Sequence, residues 1–394
     1  MLGAAYLALL GLVGRLLGPA HHDRLGTVVV LVGVGGAVAA IDRWVGSAGS
    51  VDMLVDNIHI DGGPRGMREL RNLIPTSLLC IGAGGGMGPE APLVQSSGSI
   101  AAATARLRGG GEGRVRTLTI AGMAAAFAVL FGAPLGAALF ALELPHRRGL
   151  EHHEAIIPAV VGSLTGLATA TVLGGHAMGP VWSALPPVAE TGVRSFGWAA
   201  IGVAVGVATA TVFVWLVAAL RRVATAVPAW TRPILGGLVL GGLGWWSPYA
   251  LTFGEFQLDP LLTSGVGAGG FALAGIAKLA GTSVTLAAGW RGGFIIPLLV
   301  MGAAFGAVVP ELLPGAPVTI VVVAAMVAAN VGVTNTALGT AVVVTEMAGL
   351  HLLPTTLFAG IVSLAVTPRL GLFGSQRGRA SHRSAPGAAR PERR

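Results

Sequence analysis

Apolar runs recur along almost the whole chain, and they leave few folds open to it. Val28–Ile41, Leu118–Leu142, Ile201–Leu220, Leu235–Trp246 and Val318–Val331 carry no charged side chain. Several reach or approach the ~20 residues that a helix needs to cross a hydrocarbon core. Charge is too scarce to build a water-facing surface around such segments: 11% of the 394 residues are charged, against roughly 25% in soluble domains. The sequence therefore predicts an all-α polytopic membrane protein, multi-pass in a bacterial inner or plasma membrane, the Ala/Gly/Arg-rich composition pointing to a GC-rich bacterial source.

Glycine refines that expectation. With 62 glycines in so apolar a chain, helices are expected to approach closely and to break, and breaks are tolerated in a membrane only where freed backbone groups are buried in protein or line a wet cavity. Short apolar stretches such as Ile295–Val309, and others interrupted by proline, fit tilted and re-entrant helices better than an up-and-down bundle. Met1–Leu17 lacks a basic leading region and a clear cleavage site, so it reads as a retained first membrane segment. The single cysteine, Cys80, excludes a disulfide within the chain. Net charge is +8, and the arginines 377, 379, 383, 390, 393 and 394 crowd the C-terminal end among Gly, Ser, Ala and Pro. That end reads as a disordered cytoplasmic tail set by topology, and no nucleic-acid partner is expected.

The chain also matches itself. Leu135-Gly136 through Glu143 aligns with Leu338-Gly339 through Glu346 at an offset of 203, and Gly88-x-x-x-Pro92-Leu93 aligns with Gly293-x-x-x-Pro297-Leu298 at an offset of 205. Two matches in the same order, near half the chain length, argue for structural repeats. One transmembrane domain over residues 1–376 is expected, with repeats at about 25–173 and about 195–375, joined through Gly174–Gly192, and with residues 377–394 as the tail.

Each Gly-x-x-x-Pro segment reads as the opening of a helix. Proline in a first turn forfeits no internal hydrogen bond, and the glycines let the backbone turn sharply. The first free N–H groups and the positive end of the helix dipole then form an anion site. Two such ends facing one another at mid-membrane would hold an anion by partial charges, weakly enough to release it. Glu90 lies inside the first turn; ionised, its carboxylate competes for those same N–H groups, and protonated or displaced it leaves them. The plainer reading is a helix cap, but an ionisable group at membrane depth argues for function.

Residues Ile81–Gln95, with Gly88-Pro89-Glu90-Ala91-Pro92 at their centre, resemble the signature of the CLC chloride channel and transporter family, G-[KR]-E-G-P followed by an apolar pair and Gln. Pro89 stands in place of the basic residue and Ala91 in place of Gly. Gly122–Phe127 with Gly132-Ala133-Pro134-Leu135 to Glu143, Gly292-Gly293-Phe294-Ile295-Ile296-Pro297, and Ala328 through Glu346-Met347 to Leu353-Pro354 resemble further family segments in the same order, over roughly residues 30–375. The resemblance implies a CLC-type inverted-repeat fold of broken, tilted and re-entrant helices, working as a homodimer whose interface comes from the helix pairs after each glutamate. It implies Glu90 as the gating glutamate and an anion held among Gly88, Ala91, Gly293, Phe294 and Ile295. A serine from the loop Gly46-Ser47-Ala48-Gly49-Ser50 would complete the site, Ser47 first and Ser50 as the alternative, since the loop departs from the family's G-S-G-I-P. The family's central tyrosine aligns with Phe373, which has no hydroxyl, and the internal glutamate of many proton-coupled exchangers aligns with Leu144. Both departures favour passive or weakly proton-coupled transport of chloride or a similar small anion over strict exchange. CBS modules are not expected.

Other residues carry less. Glu143 and Glu346 read as structural, meeting Arg or backbone N–H groups. His152 and His153 carry metal-ligating side chains, but neighbours on a helix point about 100° apart, so neither metal nor cofactor is expected. Lys278 reads as paired or snorkelling, and Trp245 and Trp246 as an interfacial belt. The rival functions are a fluoride-selective exporter of the same superfamily, a proton-coupled antiporter lacking the usual internal glutamate, a membrane enzyme, for which no nucleophile or metal set is found, and an unrelated cation-coupled transporter.

Overall fold

A computed structural model describes residues 2–46, 54–55, 57–59, 63–64, 66–146, 152–174, 182–188 and 191–367. Among these the main elements are helices: α1 Leu2–Leu17, α2 Arg24–Val45, α3 Leu70–Gly82, α4 Glu90–Leu107, α5 Glu112–Phe131, α6 Pro134–Glu143, α7 Ile156–Gly174, α8 Val193–Ala224, α9 Arg232–Trp246, α10 Glu255–Thr263, α11 Gly267–Ala287, α12 Ile295–Leu312, α13 Val318–Thr334, α14 Ala337–Ala348 and α15 Leu353–Val366. Seven helices among the described residues are long and apolar enough to span a membrane, and four apolar ones are shorter. The protein is a multi-pass membrane protein.

The apolar run Leu118–Leu142, continuous in sequence, is cut in two by backbone geometry. Gly132 ends α5 in the left-handed conformation (φ 63°, ψ 14°) and Ala133 (φ −120°, ψ 84°) precedes Pro134, which opens α6. Two hundred and three residues later Asn335 ends α13 the same way (φ 60°, ψ 22°) and Thr336 (φ −100°, ψ 74°) precedes α14. Asparagine tolerates that conformation better than most side-chain-bearing residues. The repeat seen in sequence is thus repeated in dihedral angles.

Helices α6 and α14 lie against each other and exchange caps. Glu143, at the end of α6, accepts the N–H groups of Leu338 (3.2 Å) and Gly339 (2.7 Å) at the start of α14. Glu346, at the end of α14, accepts those of Leu135 (3.3 Å) and Gly136 (2.7 Å) at the start of α6. Carboxylates capping each other's helix require the two to run antiparallel, as a two-fold axis in the membrane plane demands. A β-carbon on Gly136 or Gly339 would strike the partner backbone at Val343 or Phe140, so the close approach depends on glycine. Both glutamates meet backbone N–H groups.

The core gathers around the second repeat. Helix α13 is buried at every residue from Thr319 to Thr334, enclosed by α8, α12, α14 and α15, as expected of a helix that is apolar all round. Helix α12 is almost as deeply set. The α3–α4 and α11–α12 junctions meet inside this core.

Candidate functional site

The two Gly-x-x-x-Pro turns touch directly. Gly88 N–H donates to Gly293 O (2.8 Å) and Gly293 N–H to Gly88 O (2.6 Å), an isolated antiparallel bridge between the repeats. Gly84 and Gly289, 205 residues apart, enter these turns with positive φ (99° and 82°). Beyond the bridge, α4 and α12 begin side by side, which brings two positive helix ends to one place.

Glu90 reaches across this junction. It is completely buried, and its Oε1 accepts the Ile296 N–H at 2.6 Å. Phe294 caps α12, which makes Ile296 the second residue of the helix, the position whose N–H a capping oxygen usually takes. Pro297 next to it has no N–H to give, so Ile296 is the last donor of this helix end. Oε2 makes no hydrogen bond among the described residues. It rests against both turn glycines: a β-carbon on Gly88 or Gly293 would overlap it. A small cavity opens beside the carboxylate, lined by Glu90, Ala91, Val94, Phe127, Leu144, Gly293, Phe294 and Ile295. Apart from Glu90 its wall consists of apolar side chains and helix-end backbone, so the chemistry on offer is that of N–H donors and dipoles.

Polar groups behind the cavity hold the turns in position. Asn330, wholly buried on α13, donates through Nδ2 to Ile295 O (3.1 Å). It is also the acceptor for Thr334, which is linked through Thr336 to Thr340 by hydroxyl contacts of 2.7 and 2.9 Å. At the offset of 203 the first repeat has Phe127, Phe131, Ala133 and Ala137, so the string belongs to one repeat only. Arg291, just before the second turn, pairs with Asp42 at 3.2 Å, and Asp42 also accepts Asn72 Nδ2 (2.8 Å), tying the end of α2 to both α3 and the α11–α12 junction. Lys278, read from sequence as paired or snorkelling, is fully buried and paired with neutral groups: Nζ donates to Leu251 O (2.7 Å), Thr252 O (2.9 Å) and Gln257 Oε1 (3.0 Å). All three donors are consumed in fixing the turn before α10, where Thr252 has a positive φ of 59°.

Comparison with known proteins decides the family. A family model described as "Voltage gated chloride channel" matches residues 37–368. The chain belongs to the voltage-gated chloride channel (CLC) family. A "Chloride/fluoride channel protein" of Pseudomonas syringae pv. tomato is 30% identical, the alignment covering 95% of this chain and 86% of the relative. The "Putative ion-transport protein YfeO" of Escherichia coli is 28% identical over 78% of this chain and 73% of its own length. Among solved structures, a CLC-type fluoride/proton antiporter superposes with a TM-score of 0.81 at 21% identity, covering 95% of this chain and 94% of that one. A slow cyanobacterial Cl⁻/H⁺ antiporter gives 0.77 at 20% identity, covering 93% and 92%. This CLC-family chain accordingly has the CLC inverted-repeat fold and is a membrane anion-transport protein; its family and these neighbours are channels and transporters, not enzymes.

Of the CLC positions picked out in sequence, Gly88, Glu90, Ala91, Gly293, Phe294 and Ile295 converge at one junction. Ser47, its alternative Ser50, and Phe373 lie outside the described residues, as does much of the segment between the repeats. Leu144, in the place of the internal glutamate, forms part of the cavity wall. Sequence reasoning missed Ile296, although its place just before Pro297 marks it as the last free donor. It also missed Asn330, whose signal was a lone amide inside the apolar run Val318–Val331, and the Arg291–Asp42 pair, whose members lie 249 residues apart.

Proposed function

We propose that this protein carries chloride or a similar small anion by passive or weakly proton-coupled transport, with Glu90 as the gate. The observation that carries this reading is the 2.6 Å hydrogen bond from Ile296 N–H to Glu90 Oε1. A carboxylate bonded to a helix-end N–H occupies the berth an anion would take, because both are satisfied by the same donors. Arrival of an anion, or protonation of Glu90, frees the donor; departure of the anion lets the side chain return. Gly88, Ala91, Gly293, Phe294 and Ile295 supply backbone to the site in this reading, with Ser47 or Ser50 and the apolar Phe373 completing it. Leucine at position 144 carries no proton, which weighs against strict exchange. A homodimer, each subunit with its own pathway, and protons as a minor second substrate belong to the same proposal.

The test is flux from liposomes loaded with chloride, fluoride, nitrate or bromide, together with reversal potentials under a proton gradient. Chloride flux that needs no sodium and reverses near the chloride equilibrium potential supports the reading. Sodium-dependent flux, or no anion flux at all, overturns it. Selectivity for fluoride is the second reading, favoured by the Pseudomonas relative whose name includes both ions. Fluoride efflux far faster than chloride efflux would select it.

A further inference from the structure

Three histidines of the first repeat converge away from the anion junction. His59 lies in the helical piece 57–59 before α3, His146 follows the end of α6, and His152 caps the short 3₁₀ turn His153–Ala155 that leads into α7. One side-chain nitrogen from each lies within 4.8 Å of the others. Ring centroids are 4.8, 5.4 and 6.1 Å apart with interplanar angles of 56°, 67° and 44°, so the rings do not stack face to face. His146 is buried and the other two are half-buried. Adjacent His152 and His153 do not act together; the fold draws His152 to partners 6 and 93 positions away.

Two of the imidazoles have orienting neighbours. His59 Nε2 is 2.8 Å from Pro145 O; a carbonyl can only accept, so Nε2 carries a proton and the ring is held in place. His152 Nδ1 lies 3.8 Å from Glu154 Oε1, which favours a proton on Nδ1. Metal-binding histidines are commonly fixed in this manner by a carbonyl or carboxylate on the other ring nitrogen. Nitrogens bound at about 2.0–2.1 Å to one tetrahedral ion stand about 3.4 Å apart. Closing from the present spacing is a matter of about 1.4 Å, within the range of small side-chain rotations.

We propose that His59, His146 and His152 form a binding site for a divalent transition-metal ion of the zinc class, with a fourth position open to water. Imidazole selects such ions over Mg²⁺ and Ca²⁺, which prefer oxygen. The ion would clasp the segment before α3, the end of α6 and the start of α7. His146 is two residues from Leu144 on the cavity wall, so occupancy stiffens that wall and slows anion passage. The binding site itself does not depend on the proposed transport mechanism.

The test uses the full chain in detergent, purified without a polyhistidine tag. Co²⁺ titration followed by visible absorption should give one ion per chain with the bands of a low-coordinate centre, displaced by Zn²⁺ and untouched by excess Mg²⁺. His152→Ala, a half-buried position least apt to harm folding, should weaken binding by more than about 10- to 100-fold, the usual loss for a mere orienting partner, and Glu154→Gln by about 10-fold. His153→Ala should leave affinity unchanged. Zn²⁺ should slow anion flux of the native chain and not of His152→Ala. Absence of Co²⁺ and Zn²⁺ binding at millimolar metal, or equal binding by native and His152→Ala chains with matching gel-filtration profiles, overturns the site.

Discussion

Replacing Glu90 with glutamine tests the gate most directly. The native carboxylate holds Ile296 N–H at 2.6 Å in full burial, a hydrogen bond of the charge-assisted kind, which contributes about 1.5–3 kcal/mol, against about 0.5–1.5 for a neutral pair. Glutamine keeps the shape and can still offer a carbonyl to Ile296, so the plug loses roughly 1–1.5 kcal/mol, the difference between those ranges. At 1.4 kcal/mol per decade, that shifts competition toward the anion by about 5- to 10-fold. The second effect concerns pH. Protonation of Glu90 removes the same charge, so native flux should rise as pH falls, whereas Glu90→Gln has nothing to titrate and its flux should stay at the acid level throughout. Chloride efflux from liposomes between acid and alkaline pH reads both effects in one series. The reasoning would be refuted by a Glu90→Gln protein whose flux is lost, or whose remaining flux keeps the native pH profile.

Three further substitutions probe the same architecture. Gly293→Ala puts a β-carbon against Glu90 Oε2 and should expel the side chain, giving fast, pH-insensitive efflux; an unchanged pH profile would show that the carboxylate does not rest there. Glu143→Gln and Glu346→Gln each exchange a charged cap for a neutral one across the α6–α14 pair and should cost similar amounts, about 1–2 kcal/mol. A clear drop in thermal stability for one and none for the other would contradict the reciprocal arrangement. Lys278→Met leaves three acceptors without their donor, at about 1–3 kcal/mol for each one left unsatisfied, and should lower the melting temperature by several degrees with anion selectivity intact. Altered selectivity at native stability would instead make Lys278 part of the conduction pathway.

Sequence alone determined the membrane class, because a chain so short of charge has no way to face water, and it determined the repeat, because glycine, proline and glutamate recur where backbone breaks and caps are needed. The positions Gly88, Glu90 and Gly293 were legible for that same reason: a broken helix in lipid leaves donors that must be used, and the residues that break it are few and recognisable; Phe294 and Ile295 were legible only through the resemblance to the CLC family. Tertiary structure decided what those donors meet. Which N–H receives Glu90 depends on how two turns 205 residues apart bridge each other, and nothing local to Ile296 records the distance to Glu90. Lys278 reads from sequence as paired or snorkelling, but which partners it takes, the carbonyls of Leu251 and Thr252, is settled only when the chain folds over it. The same holds for His59, His146 and His152: spacing along the chain excluded the adjacent pair 152–153, while convergence of three separate segments exists only in space, where side chains meet by packing and not by sequence order.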